Sequence, residues 1–204
     1  MQQYAYEAII HGQLRTNQYR YPDEQRDIIC TTTLIRGGDG LHILVDPGWR
    51  DELLLEALAL RGLAPEQIDL IYVTHLHPDH FRSARLFPSA RWLAYGPEID
   101  HWRERIAEAD RDILERLERV HDEVHADIRI VPTPGHTMQH TSVLFQSWGR
   151  RILVAADALL CREYYEHRTV HPISEDAELA LRSLEAAGEM ADTIIPGHDA
   201  PYDR

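Results

Sequence analysis

The chain carries His75-Leu76-His77-Pro78-Asp79-His80, four ligand-type side chains within six positions. Neutral imidazoles and a carboxylate are a donor set for a divalent cation such as zinc, iron or manganese. His75 and His77, two apart, can point to the same side of an extended segment. Asp79 and His80 follow at a turn where a helix through Phe81-Arg82-Ser83-Ala84 could begin. Three more ligand-type residues sit in similar settings: His136 after Pro134-Gly135, Asp157 after the apolar run Ile152–Ala156, and His198 after Pro196-Gly197. A carboxylate delivered by a buried strand needs a compensating partner, and a metal cation is the simplest one.

The elements that must position these residues are legible as short strand-like runs closed by turn residues. They are Tyr4–Ile10, Thr31–Arg36, His42–Val45, Leu70–Thr74, Arg91–Ala94, Ile128–Val131, Thr141–Phe145, Arg151–Ala155 and Thr193–Ile195. Arg36-Gly37-Gly38-Asp39-Gly40 and Ser147-Trp148-Gly149-Arg150 read as hairpin turns. Leu53, Leu54, Ala57 and Leu58 place apolar groups on one face of a helix. Steps of three and four from Ile99 through Trp102, Ile106, Ala109, Ile113 and Leu117 to Val120 predict one long surface helix. A last helix carries Ala177, Ala180, Leu181, Leu184 and Ala187, with Ser174 or Asp176 as its N-cap. Residues 12–27 are polar and aperiodic, which predicts a disordered loop or a mobile flap. Strands alternating with helices predict an α/β architecture in which helices cover the sheets. Four strands ending in ligand-type residues would gather them at one sheet edge.

Length and composition bound the partners. A chain of 204 residues is near one domain's length, and we expect a single domain over residues 1–204. Thirteen histidines are an excess, whereas two distant cysteines, Cys30 and Cys161, suggest neither a disulfide framework nor a zinc knuckle. Net charge is −13, which counts against nucleic acid as a partner. No apolar run is long enough for a membrane span, and the N-terminus lacks the pattern of a secretory signal. The expectation is a cytoplasmic protein acting on a small molecule. Trp92, Trp102 and Trp148 could mark a homodimer surface or pack into the core.

HLHPDH followed by PGHT, AADA and PGHD resembles the metallo-β-lactamase superfamily, from about Ile43 to the C-terminus. The resemblance implies a four-layer αββα sandwich, two sheets face to face between layers of helices. It implies that His75, His77 and His136 hold one metal ion and that Asp79, His80 and His198 hold a second. Asp157 would bridge the two. Asp46, in Leu44-Val45-Asp46-Pro47-Gly48, would brace the ligand loops, and His140 would be structural. Zinc is the first choice of metal, with iron and manganese as alternatives.

Two ions so placed would share a water that loses a proton near neutral pH, ready to attack a carbonyl or phosphoryl centre. Asp79 is the candidate to move a proton to the leaving group. His11 and His171 could rim the site, and Glu163, Tyr164 or Tyr165 could reach substrate, a tyrosine there donating to an oxyanion. Where the flavodiiron branch has a glutamate this chain has His77, which favours hydrolysis over electron transfer. The compact form looks like the short stand-alone members, some of which resemble lactonases. The expected activity is hydrolysis of a small ester, lactone or thioester. Alternatives are a phosphodiesterase or nuclease, a mononuclear iron sulfur dioxygenase, and a catalytically silent metal-binding module.

Overall fold

A computed structural model describes residues 3–204. The first sheet takes β1 (Tyr4–Ile10), β2 (Thr32–Gly37), β3 (His42–Val45), β4 (Leu70–Val73), β5 (Arg91–Tyr95) and β6 (Glu118–Val120), side by side in chain order. The second takes β7 (Glu123–His125), β8 (Ile128–Pro132), β9 (Thr141–Ser147), β10 (Arg150–Ala156), β11 (Thr193–Pro196) and β12 (Tyr202–Asp203), also in order. β3 through β6 run parallel, as do β10 and β11; the other neighbours are antiparallel.

Side-chain alternation along the strands builds the layers. In β4, Leu70 and Tyr72 face the second sheet, while Ile71 and Val73 face helices on the outside. In β10, Ile152 and Val154 join the core between the sheets, and Leu153 and Ala155 pack under α6 (Ala177–Met190) beside Leu184 and Ala187. On the opposite face α1 (Asp51–Ala59) contributes Leu54 and Leu58. These three cores separate four layers, the expected αββα sandwich.

The stripe from Ile99 to Val120 is not one helix. It divides into α3 (Gly96–Trp102), a 3-10 turn at Glu108–Asp110, α4 (Arg111–Arg116) and then β6. Ile99, Ile106, Ile113 and Leu117 are buried but Ala109 is exposed, so the spacing identified most of the core face and missed the breaks. Asp110, buried between the two helices, accepts hydrogen bonds from Arg82 at 2.7–3.1 Å and anchors the break. Val120 instead extends the parallel sheet beside Tyr95. Other local signals hold. Both residues of the Trp148-Gly149 turn have positive φ (49° and 79°), matching the twist of a two-residue hairpin. Asp176 caps α6 by accepting from the Leu179 N–H.

Residues 12–27 are not loose. Gln13 and Ile29 exchange backbone hydrogen bonds, Leu14 and Asn17 are buried, and Tyr19 stacks on His167. Trp92 is buried rather than exposed, its indole N–H donating to the Phe87 carbonyl, whereas Trp148 is 77% exposed at its hairpin tip. No helix among the described residues is long and apolar enough to cross a membrane.

Candidate metal centre

All the predicted ligands meet at the ends of the parallel strands. β4 runs out into His75, Leu76 and His77; Pro78 then starts the short helix α2 (Pro78–Phe81), which carries Asp79 and His80. His136 comes from the loop between β8 and β9, Asp157 follows β10, and His198 follows β11. Ala156 takes φ 46° at the end of β10, a conformation uncommon for a residue with a side chain, and the backbone turns sharply there into Asp157. Gly197 accommodates that carboxylate. A Cβ at Gly197 would lie 2.0 Å from Asp157 Oδ1, so no larger residue fits without displacing it.

Asp157 divides the ligands into two groups. Its Oδ2 lies 3.0 Å from His136 Nε2 and 3.8 Å from His75 Nε2. His77 Nδ1 completes that group, 3.1 Å from His75 Nε2 and 2.9 Å from His136 Nε2. Asp157 Oδ1 lies 3.3 Å from both His80 Nε2 and His198 Nε2, with Asp79 Oδ2 3.8 and 3.7 Å from the same two nitrogens. Within each group the donor atoms lie within 4.8 Å of one another.

These residues fit divalent cations. Ligand atoms about 2 Å from a tetrahedral zinc stand roughly 3.3 Å apart, close to the separations here. Asp79 Oδ2, His80 Nε2 and Asp157 Oδ1 are buried polar atoms with no hydrogen-bonding partner among the described residues, a costly arrangement that a cation relieves. Burial opposes ionisation of Asp157, but His198, His80 and His136 outweigh it and hold the carboxyl well below its usual range. Burial pushes His75 well below the usual imidazole range, and His77 down to about 4, which favours the neutral, ligating forms.

The surroundings fix the imidazole tautomers. His80 Nδ1–H donates to Asp46 Oδ2 at 2.9 Å, and His198 Nδ1–H donates to the Ile29 carbonyl at 2.8 Å. Asp46 also accepts from the Thr74 N–H at 2.9 Å and the Thr74 hydroxyl at 2.8 Å. With the Thr74 hydroxyl donating there, its oxygen accepts from His75 Nδ1–H at 3.1 Å. In each case Nε2 is left facing the centre. His140 is buried and donates from Nδ1 to Thr133 Oγ1 at 2.9 Å, in a chain that runs through Ser142 to the Ala155 carbonyl.

A cleft of about 280 Å³ opens on the centre, lined by His77, Asp79, His136, Asp157 and His198. Its other walls are Leu14, Arg15, Thr16 and Ile28 from the 12–29 segment, and Pro78, Leu160, His171 and Ile173. Of the two candidate rim histidines, His171 lines the cleft and His11 does not. Neither tyrosine of α5 (Arg162–Glu166) reaches it: Tyr164 is buried beside Leu14 and Leu160, and Tyr165 packs against Gly188. Glu163 is occupied by Arg20, whose guanidinium also makes a two-pronged contact with Asp199 at 2.7 and 2.9 Å.

Glu98 is the residue that sequence reasoning missed. It is fully buried, accepts from the Leu76 N–H at 3.0 Å and from the Thr137 hydroxyl at 3.0 and 3.1 Å, and so clamps the loops of His75, His77 and His136 together. Burial raises its pKa to about 7. The available signal was its place just past the end of β5, the same strand-end position as the ligands.

Residues 26–198 match the family model described as the metallo-beta-lactamase superfamily. The chain is 33% identical over 167 residues to metallo-beta-lactamase domain-containing protein 1 of Mus musculus, covering 78% of this chain and 60% of the mouse protein. The Xenopus laevis protein of that name is 33% identical over 174 residues, covering 84% of this chain and 71% of its own length. The chain thus spans less than two thirds of the mouse relative. Among solved structures the fold is similar to AidC, a dizinc quorum-quenching lactonase in complex with its product, at a TM-score of 0.73 and 19% identity, covering 96% of this chain and 84% of that one. With the matched model, the relatives and the sandwich in agreement, the chain belongs to the metallo-β-lactamase superfamily.

Proposed function

We propose that this protein is a hydrolase that holds two divalent cations, zinc first, and cleaves a small ester, lactone or thioester. The observation that carries this reading is the position of Asp157, which turns one oxygen toward each group of ligands. His75, His77 and His136 would hold one ion, Asp79, His80 and His198 the other, with Asp157 between them. Bound there, the cations supply Lewis acidity toward the electrophile and toward water.

The chain's own residues do the rest. Asp79 is a ligand-group member that also lines the cleft, so its carboxylate can hold a proton and pass it to the leaving group. Leu14, Ile28, Leu160 and Ile173 receive the apolar part of the substrate and keep water from it. Burial lowers the pKa of His171, leaving a neutral imidazole on the wall that can donate or accept a hydrogen bond. Cys30 and Cys161 are buried free thiols, which suits residence in the reducing cytoplasm.

The test is elemental analysis of protein purified without added metal, followed by assays on ester, lactone, thioester and phosphodiester panels. About two ions per chain with cleavage of a carbonyl substrate supports the reading. One iron per chain points to the dioxygenase chemistry instead, and cleavage of phosphodiesters alone points to a nuclease. Failure to take up any metal after reconstitution defeats the assignment.

A further inference from the structure

All 21 basic residues of this acidic chain are arginine. Among the described residues, every arginine except Arg15 and Arg129 pairs with a carboxylate, donates to a carbonyl or lies over an aromatic ring. Arg129 lines a different cavity, beside Tyr4 and Phe145. Arg15 is in the wall of the metal-centre cleft.

The backbone holds Arg15 in place on both sides. The Arg15 carbonyl accepts from the Arg26 N–H at 2.9 Å, and the neighbouring Gln13 is hydrogen-bonded in both directions to Ile29. Leu14 is seated in a small apolar cluster with Leu160, Cys161 and Tyr164. The backbone at Arg15 is therefore held, and its exposed guanidinium has no partner among the described residues, in a molecule whose acidic residues outnumber its basic ones by 34 to 21. With two divalent cations against the carboxylates Asp79 and Asp157, the centre itself is net positive, and Arg15 extends that field up the wall. The same cleft is also walled by the apolar side chains Leu14, Ile28, Leu160 and Ile173.

We propose that Arg15 is a specificity determinant that binds an anionic oxygen group at the far end of the substrate. The substrate class is then a small acyl compound with a reactive carbonyl at one end, a short apolar stretch, and an anion at the other. A guanidinium suits this task because its fork of N–H donors matches a carboxylate in two-pronged geometry. The proposal rests on the hydrolase reading for its reaction, but the binding of the anion does not.

The experiment uses the zinc-loaded full chain and two esters of equal length, 4-nitrophenyl hexanoate and the mono-4-nitrophenyl ester of adipic acid. Adipate itself is titrated calorimetrically as a ligand that needs no turnover. R15A is expected to lower the adipate-over-hexanoate preference in kcat/KM by about tenfold, chiefly through KM, as for loss of one hydrogen bond between charged groups. It should weaken adipate binding by a similar factor, and R15K should recover part of both. An unchanged preference, an equal loss on both esters, or adipate binding that is the same in wild type and R15A overturns the proposal. Arg15-dependent adipate binding in a protein that cleaves neither ester sustains it while defeating the hydrolase reading.

Discussion

The two halves of the centre, three histidines against two histidines and an aspartate, share Asp157 and are held by different parts of the molecule. His75, His77 and His136 are secured from within the sandwich, where Glu98 ties the Leu76 backbone to Thr137. Asp79, His80 and His198 are secured in part by the 12–29 segment. His80 leans on Asp46, but His198 donates to Ile29, the Thr31 N–H donates to the Gly197 carbonyl, and the next residue, Asp199, is gripped by Arg20. One half is thus held through Glu98 on α3, and the other is shared with the segment that also walls the cleft. With two ions bound as proposed, changes in that segment should be felt by the second and not by the first.

The largest effect that separates the halves comes from removing one ligand of each. His136→Ala should lose the first ion and several kcal/mol of transition-state stabilisation, about a thousandfold or more in kcat/KM. His198→Ala should lose only the second ion and keep about one per chain, as read by elemental analysis. If both variants lose both ions equally, the halves are a single cooperative site. Next comes Glu98→Ala, which removes the acceptor for Leu76 and Thr137. Cobalt titrations followed by visible absorption should show first-half affinity down by about 10- to 100-fold, with the second half little changed. Arg20→Ala should do the reverse and less, weakening the second half by up to about tenfold, because Arg20 is 44% exposed and partly screened.

The smallest effect is in pH. Burial lifts the folded-state pKa of Glu98 to about 7 from an ordinary 4.5. The protonated form is the one that folding favours, so its contribution is complete below about pH 4.5 and is lost as pH rises through about 7. Urea unfolding of the metal-free protein should show this decline, at most about 3 kcal/mol, and Glu98→Gln should flatten it. An identical slope in the variant would assign the pH dependence to other groups.

The seven converging residues were readable in the chain because ligand chemistry restricts residue type and places it just after an apolar run or a Pro-Gly turn. Their division into two groups rested on resemblance, and the two oxygens of Asp157 now give it a geometric basis. Glu98 was missed because its place past the end of β5 was its one signal, and an acid in a charged stretch otherwise differs from its neighbours only by partners distant in sequence. The Ile99–Val120 stripe misled because periodicity records which side faces the core and is blind to where the axis changes direction. The 12–29 segment has no periodicity at all. Its order comes from side chains such as Leu14, Asn17 and Tyr19, each held by a partner far along the chain.

The parallel pairing of β10 with β11 has a consequence for the order of assembly. Asp157 and His198 end adjacent parallel strands, and parallel neighbours cannot be joined by a tight turn. The whole excursion through α6 must close before these two residues meet, and such non-local closure is the slow part of forming a sheet. The HLHPDH run, by contrast, is local and is together from the outset. A metal ion therefore meets only part of its ligand set in the unfinished chain. The complete ligand set is thus a product of folding rather than its nucleus.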